Sequence, residues 1–220
     1  MKFIDMFFFF FHFASVYSYR FVDMFSNRVA NYLIANGINK GDVVAIFAHR
    51  STALVFAIMG ILKAGATFTV IDPLYPPERQ IIYLQVSEPK GLITIRAAGE
   101  LHADVQDYIK TKLSIQAYIP ALAPDSEGVL ANVSIENPNI PIGPDDIGTL
   151  SFTSGSTGIP KGVRGRHISY THFYPWMSEE FKLDDNDHFS MLSGIAHDPI
   201  QRDSTTLSFL GVLFHNQINI

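Results

Sequence analysis

From residue 42 to residue 119 the chain alternates short, nearly all-apolar runs with longer helical patterns, and few folds accept that alternation. Residues 42–47 read as a strand buried on both faces, since a strand covered by helices needs no polar side. Residues 52–64 follow as a mostly buried helix, and 66–71 as a strand stopped by Asp72-Pro73. Pro76 and Pro77 open a further helix, because the first turn has no use for their missing N–H. That helix runs to about Ser87, ahead of Pro89. Residues 91–95 are a strand, 103–112 a weaker helix and 114–119 a strand. This succession predicts an α/β fold: parallel βαβ units in a doubly wound sheet with flanking helices. Upstream, Ser26 and Asn27 are candidate caps for a helix with Val29, Ala30, Leu33 and Ile34 on one face, ended by Asn36-Gly37.

Residues 120–146 hold five of the twelve prolines and predict a long surface connection. Within it, Asn132-Val133-Ser134 is a glycosylation sequon by pattern only. Residues 147–153 then form a strand that delivers the densest chemistry in the chain. Between Thr153 and Gly162 lie the hydroxyls of Thr153, Ser154, Ser156 and Thr157, three glycines (155, 158 and 162) and Lys161. Small residues let backbone approach a ligand. Free amides and hydroxyls there bind phosphate oxygens, and a lysine adds a point charge. A plain flexible loop is the alternative, which the crowding of these residue types disfavours. It is not a Walker loop, which needs Gly before its Lys and Ser or Thr after; here Pro160 precedes and Gly162 follows.

Downstream, residues 167–181 predict a helix whose Phe173, Tyr174 and Trp176 belong to the core. Residues 184–187 predict a solvated turn, since a calcium loop would need a Gly and a terminal Glu that are missing. Residues 188–192 predict a strand. A net charge of −5 and a pI near 5.9 argue against a nucleic-acid binder. The absence of cysteine removes disulfides and thiolate metal sites and fits a reducing, cytoplasmic setting. No apolar run reaches the ~18 residues of a membrane span. The nearest, around Phe7 to Phe13, belongs to a Phe-rich leader over residues 1–16 that reads as divergent and non-native.

Four stretches in order resemble the blocks of the adenylate-forming (AMP-binding) enzymes: acyl-CoA ligases, luciferases and the adenylation domains of carrier-protein systems. Tyr17 to Arg20 with Ser26 to Ala30 resembles their opening helix. Ile61 to Ala66 with Ile71-Asp72-Pro73 resembles the second block. The segment from Thr153 to Gly162 resembles the phosphate signature, and Gly194 to Pro199 the fourth block. Gly165-Arg166-His167, Pro175-Trp176-Met177 and Met191 to Asp203 narrow the resemblance to the fungal aminoadipate reductases of lysine biosynthesis. The resemblance implies ATP and Mg²⁺, the ion arriving with ATP, and a partial adenylation domain over residues 17–211 with a divergent tail at 212–220. It implies that Thr153, Ser154, Gly155, Ser156, Thr157, Gly158, Lys161 and Gly162 hold the ATP phosphates, with Lys161 stabilising their charge. Dipoles from a helix N-terminus or from loop amides would add to that charge stabilisation.

The substrate implied is L-2-aminoadipate, its side-chain carboxylate activated as an acyl-adenylate. That acyl group then passes to phosphopantetheine on a carrier domain and is reduced by NADPH to the semialdehyde. Asp198 has two readings, contact with the substrate ammonium and helix capping ahead of Pro199. His197 either lines the pocket or is simply packed. Arg202 and Asp203 read as a surface pair. The family's adenine, ribose and lid-lysine motifs, its carrier serine and its NADPH loop have no counterpart in these 220 residues. The fold is therefore expected to be incomplete, and the chain by itself inactive in adenylate formation. A non-catalytic fragment, or an adenylation portion for another acid, are the competing readings.

Overall fold

The structure, a computed structural model, describes residues 7–10, 15–125, 128–153, 160–183, 187 and 194–196. Strands β1 (Phe7–Phe10) and β2 (Ser15–Ser18) pair antiparallel, with Phe7 opposite Ser18. Helix α1 (Tyr19–Ala35) starts directly afterwards, where Ser18 Oγ accepts the Phe21 N–H at 3.2 Å. Ser26 and Asn27 are thus not its caps but lie inside it, fully buried. Ser26 Oγ bonds back to the Asp23 carbonyl at 2.9 Å, and Asn27 serves a distant segment. The helix ends at Asn36 as expected, since its amide still reaches the Tyr32 and Leu33 carbonyls.

The rest of the α/β pattern is β3 (Val43–Phe47), α2 (Thr52–Lys63), β4 (Thr67–Ile71), α3 (Pro77–Ser87), β5 (Gly91–Ile95), α4 (Ala103–Lys112), β6 (Ala117–Leu122), β7 (Ile147–Thr153) and β8 (Lys161–Arg166). The six-stranded sheet has the order β6-β5-β3-β4-β7-β8, parallel throughout except for the β7–β8 pair. Helices α1 and α2 pack together over one face, α3 and α4 over the other. Alternation along the strands feeds both cores. Val44 and Ile46 face α1 and α2, while Ala45 and Phe47 face α3 and α4. Phe56 of α2 anchors the first core, with the ring of Phe25 at 4.9 Å and that of Tyr17 at 5.8 Å.

Three expectations about boundaries change. Strand β6 starts three residues later than the sequence suggested and runs through Pro120. It is a sheet edge, where a proline removes no ladder bond. A bulge opposite β5 is stitched there by the Ala121 N–H donating to Thr94 Oγ1 at 2.9 Å. Strand β8 was not anticipated at all. The helix expected over 167–181 divides into α5 (Ile168–Thr171) and α6 (Phe173–Phe181). On α6 the inward residues are Tyr174 and Met177, one turn apart, whereas Trp176 lies two positions from Tyr174 and is 52% exposed. The strand expected at 188–192 lies outside the described residues, as do residues 184–186 of the acidic turn, Arg202 and Asp203.

Among its described residues, the connection from β6 to β7 has one 3-10 turn (Gly128–Leu130) and otherwise no helix or strand. Side-chain amides fasten it to α1. Asn27 Nδ2 donates to the Ile135 carbonyl at 2.8 Å, and Asn31 Nδ2 donates to the carbonyls of Ser134 and Glu136. Near its end Lys40 pairs with Asp146 at 2.6 Å, and Asp146 also accepts the Gly143 N–H.

His167 follows β8 beside this pair, its ring against Gly148 and close to Leu62. Burial lowers its pKa below the ordinary imidazole value; Asp146 opposes that and Lys40 adds to it. The unfolded chain therefore takes up the proton first. Stability is complete above about pH 6.5 and falls as pH drops from there through the lower folded pKa. Asp42 and Asp146 are also held low, but they act only below the ordinary carboxylate range. In denaturant titrations from pH 8 to pH 5, His167→Gln should flatten the acid-side loss; an unchanged slope would remove His167 as its source.

Candidate functional site

Strands β7 and β8 form the antiparallel hairpin that carries the phosphate-like sequence. In register, Phe152 stands opposite Gly162 and Thr153 opposite Lys161. Directly opposed residues share a face of the sheet. The Thr153 hydroxyl and the Lys161 ammonium thus leave the hairpin side by side, both exposed. Phe152 points the other way, into the α3 and α4 core. Lys161 opens strand β8 rather than a helix, so no helix dipole follows it. Donors to a phosphate would be loop amides, hydroxyls and the lysine.

The hairpin opens at the carboxyl end of the parallel strands. There β3 exits to α2 on one face and β4 exits to α3 on the other, and β7 lies next to β4. Adjacent strands whose exits diverge mark the edge at which open α/β sheets bind ligands. Asp72 ends β4 with its Oδ1 accepting the Leu74 N–H at 2.9 Å, which turns the chain into Tyr75 and α3. Burial first, and Tyr83 next, lift the Tyr75 phenol above its ordinary pKa.

Of the residues singled out by sequence, the structure brings together Thr153, Lys161 and Gly162. Gly162 has a packing reason of its own. A Cβ there would meet Leu150 Cδ1 at 3.1 Å and Val86 Cγ1 of α3 at 3.4 Å. Ser154, Gly155, Ser156, Thr157, Gly158, His197 and Asp198 lie outside the described residues. Among the described residues, no group of His, Asp and Glu is arranged to hold a metal ion, and no helix is long and apolar enough to cross a membrane.

Sequence reasoning missed Arg79 and Tyr83. Arg79 donates to Tyr83 Oη through Nε at 3.1 Å and through a terminal nitrogen at 2.9 Å. Its guanidinium carbon sits 4.0 Å over the Tyr75 ring. Tyr83 stacks on Phe152 with centroids 4.0 Å apart and planes 11° from parallel. The one signal for this was the spacing of Tyr75, Arg79 and Tyr83 every four residues, which puts them in line along a helix and its entry.

The AMP-binding enzyme family matches residues 5–211. L-2-aminoadipate reductase of Schizosaccharomyces pombe is 49% identical over 211 residues, covering 89% of this chain and 15% of that protein. The enzyme of the same name from Saccharomyces cerevisiae is 50% identical over 210 residues, with the same coverage. The chain thus spans about 15% of the length of these curated relatives. In fold, the N-terminal domain of FACL13 from Mycobacterium tuberculosis superposes with a TM-score of 0.75 at 24% identity, over 90% of this chain and 49% of that one. With the family pattern running along nearly all of its length and a mixed α/β sheet of the matching architecture beneath it, the chain belongs to the AMP-binding enzyme family.

Proposed function

We propose that the β7–β8 hairpin holds the phosphates of ATP, and that the chain is the phosphate-binding part of an enzyme that activates the side-chain carboxylate of L-2-aminoadipate as an acyl-adenylate. The observation that carries the phosphate reading is the Thr153–Lys161 pair, a hydroxyl and an ammonium exposed side by side at the carboxyl edge of the sheet. Those groups fit a polyphosphate. Lys161 supplies a charge-assisted bond to its oxygens, and Thr153 supplies a hydroxyl donor from the facing strand. Bound ATP with Mg²⁺ supplies the leaving pyrophosphate of carboxylate activation. Lys161 offsets charge that grows on that group, and Ser154, Ser156 and Thr157 add hydroxyls in the same stretch.

The relatives named L-2-aminoadipate reductase, at about half identity, support the choice of acid. Asp198 as the partner of the substrate ammonium and His197 as a pocket wall belong to the same proposal. So do the carrier and reductase steps of a longer protein, with phosphopantetheine and NADPH, and a cytoplasmic setting. The division into a leader at 1–16, an adenylation portion at 17–211 and a tail at 212–220 is proposed with them.

Equilibrium dialysis of the 220-residue chain against Mg²⁺-pyrophosphate tests the phosphate reading. Lys161→Ala should weaken binding by about tenfold, the equivalent of ~1.4 kcal/mol. Equal affinity in both proteins would sink it. ATP–pyrophosphate exchange with L-2-aminoadipate on the same 220 residues should stay at the Lys161→Ala background, because the adenine, ribose and lid-lysine motifs are not among them. Exchange well above that background would overturn this second expectation.

A further inference from the structure

We propose that Arg79 and Tyr83 of α3 are positioning residues for the phosphate-binding hairpin, bracing the roots of β7 and β8 from the face opposite Thr153 and Lys161. The inference rests on the phosphate reading given above. Its starting point is Phe152, one residue before Thr153. The Phe152 side chain has no polar atom, so packing alone sets the pose of its ring, and a parallel ring pair can slide with little penalty. The ring it stacks on is held differently. Tyr83 is buried, and its Oη accepts two N–H groups from the single guanidinium of Arg79. Two donors in a rigid fork fix the position of that oxygen along and across the ring plane. Arg79 is itself held by the Tyr75 ring under its guanidinium, and Tyr75 meets Tyr83 edge-on at 5.8 Å and 84°. The order of constraint is therefore Tyr75, Arg79, Tyr83, Phe152, and then Thr153 by one peptide bond.

The second strand is braced by the same helix. Gly162 lies opposite Phe152 in register and leaves just enough room for Val86 of α3. Helix α3 thus abuts both strands one residue inside the Thr153–Lys161 pair. A hydrogen bond from an exposed arginine adds little to global stability. Its effect here is on placement: a hydroxyl and an ammonium bind a polyphosphate well only when both are held in register with it.

The test compares Tyr83→Phe, Arg79→Gln, Arg79→Lys and the double variant Tyr83→Phe/Arg79→Gln in the 220-residue chain. Tyr83→Phe keeps the stack and loses only the oxygen. Affinity for Mg²⁺-pyrophosphate is measured alongside melting temperature, and amide hydrogen exchange without ligand is followed at residues 150–153 and 161–163. Tyr83→Phe and Arg79→Gln should each weaken pyrophosphate binding three- to tenfold at nearly unchanged melting temperature. The double variant should be no weaker than the poorer single one, and Arg79→Lys should recover part of the loss. Exchange at the two strand roots should speed up while α1 and α2 stay as they were. Loss of binding in Arg79→Gln with full binding in Tyr83→Phe would overturn the proposal, since Arg79 would then touch phosphate itself. Faster exchange throughout the chain would reduce the pair to general stability and overturn it too. If the unaltered chain binds no pyrophosphate, the phosphate reading fails, and exchange at the strand roots alone decides whether the pair braces the hairpin.

Discussion

Valine at position 60 should destabilise the chain by about 3 kcal/mol or more, lowering the melting temperature by roughly 10 °C. Gly60 sits in the middle of α2 where that helix crosses α1. A Cβ there would lie 2.5 Å from both Cβ and Cγ1 of Val29 and 3.0 Å from the Ser26 carbonyl oxygen. The first obstacle is a β-branched side chain with one favoured rotamer in a helix. The second is backbone that cannot swing aside. The two helices must then part, and Phe25, Phe56 and Val29, all buried in this core, lose contact together. Alanine at the same site sets two effects against each other. Its helix propensity favours it by about 1 kcal/mol over glycine, and the same overlap opposes it. Gly60→Ala should therefore be destabilising by less than Gly60→Val. Urea unfolding of the three proteins measures both steps. A Gly60→Val protein within about 1 kcal/mol of the parent would show that the crossing can widen freely.

Asn27→Ala should be the next most damaging of the changes considered, at about 2–3 kcal/mol. Asn27 is almost wholly buried and uses both ends of its amide. Its Nδ2 donates to the Ile135 carbonyl, while its Oδ1 accepts from Lys63 Nζ at 2.8 Å. Lys63 also bonds Asp23 through both its carboxylate and its carbonyl. Alanine leaves the Ile135 carbonyl without this donor and takes one acceptor from an ammonium whose pKa is already lowered, chiefly by burial. The damage should be local as well as global. Limited proteolysis should cut residues 131–139 sooner in Asn27→Ala than in the parent, at equal distance from each protein's unfolding midpoint. Asn31→Ala removes two exposed bonds to the same segment and should have a smaller effect. Equal cleavage in all three proteins would mean that the amides do not hold the connection.

Much of this architecture was legible before any coordinates. Strand β5 and helices α3 and α4 fall where apolar runs and proline punctuation put them. Their signals are local, namely a buried parallel strand without polar alternation and a helix opened by proline. Strand β8 was illegible for the opposite reason. Lys161-Gly162-Val163-Arg164-Gly165-Arg166 contains two glycines, three cations and one β-branched residue, so nothing in its own propensity marks a strand. Pairing with β7 makes it one. The first helix was dated too late because Ser26 and Asn27 look like caps by type, and only the tertiary partners of Asn27 explain polar residues in a helix interior. At the candidate site, Thr153 and Lys161 stood out by residue type and spacing, and the hairpin sets them opposite each other. The support proposed behind it was not legible, because no local pattern reports that Phe152 of β7 stacks on Tyr83 of α3, far away in sequence.

The way β7 enters the sheet has a consequence for the order of assembly. β3 opens the sheet, and β4, β5 and β6 each join it after a single helical crossover. β7 docks on β4 only after the whole β6–β7 connection has been laid down, with Thr67 Oγ1 bonding the Ile147 carbonyl across 80 residues of chain. Loop closure of that length is entropically dearer, and contacts of high sequence separation form late. On a ribosome these four strands can collapse while the hairpin is still being synthesised. The β7–β8 hairpin would thus be the last piece of this sheet to arrive, added to a frame already assembled.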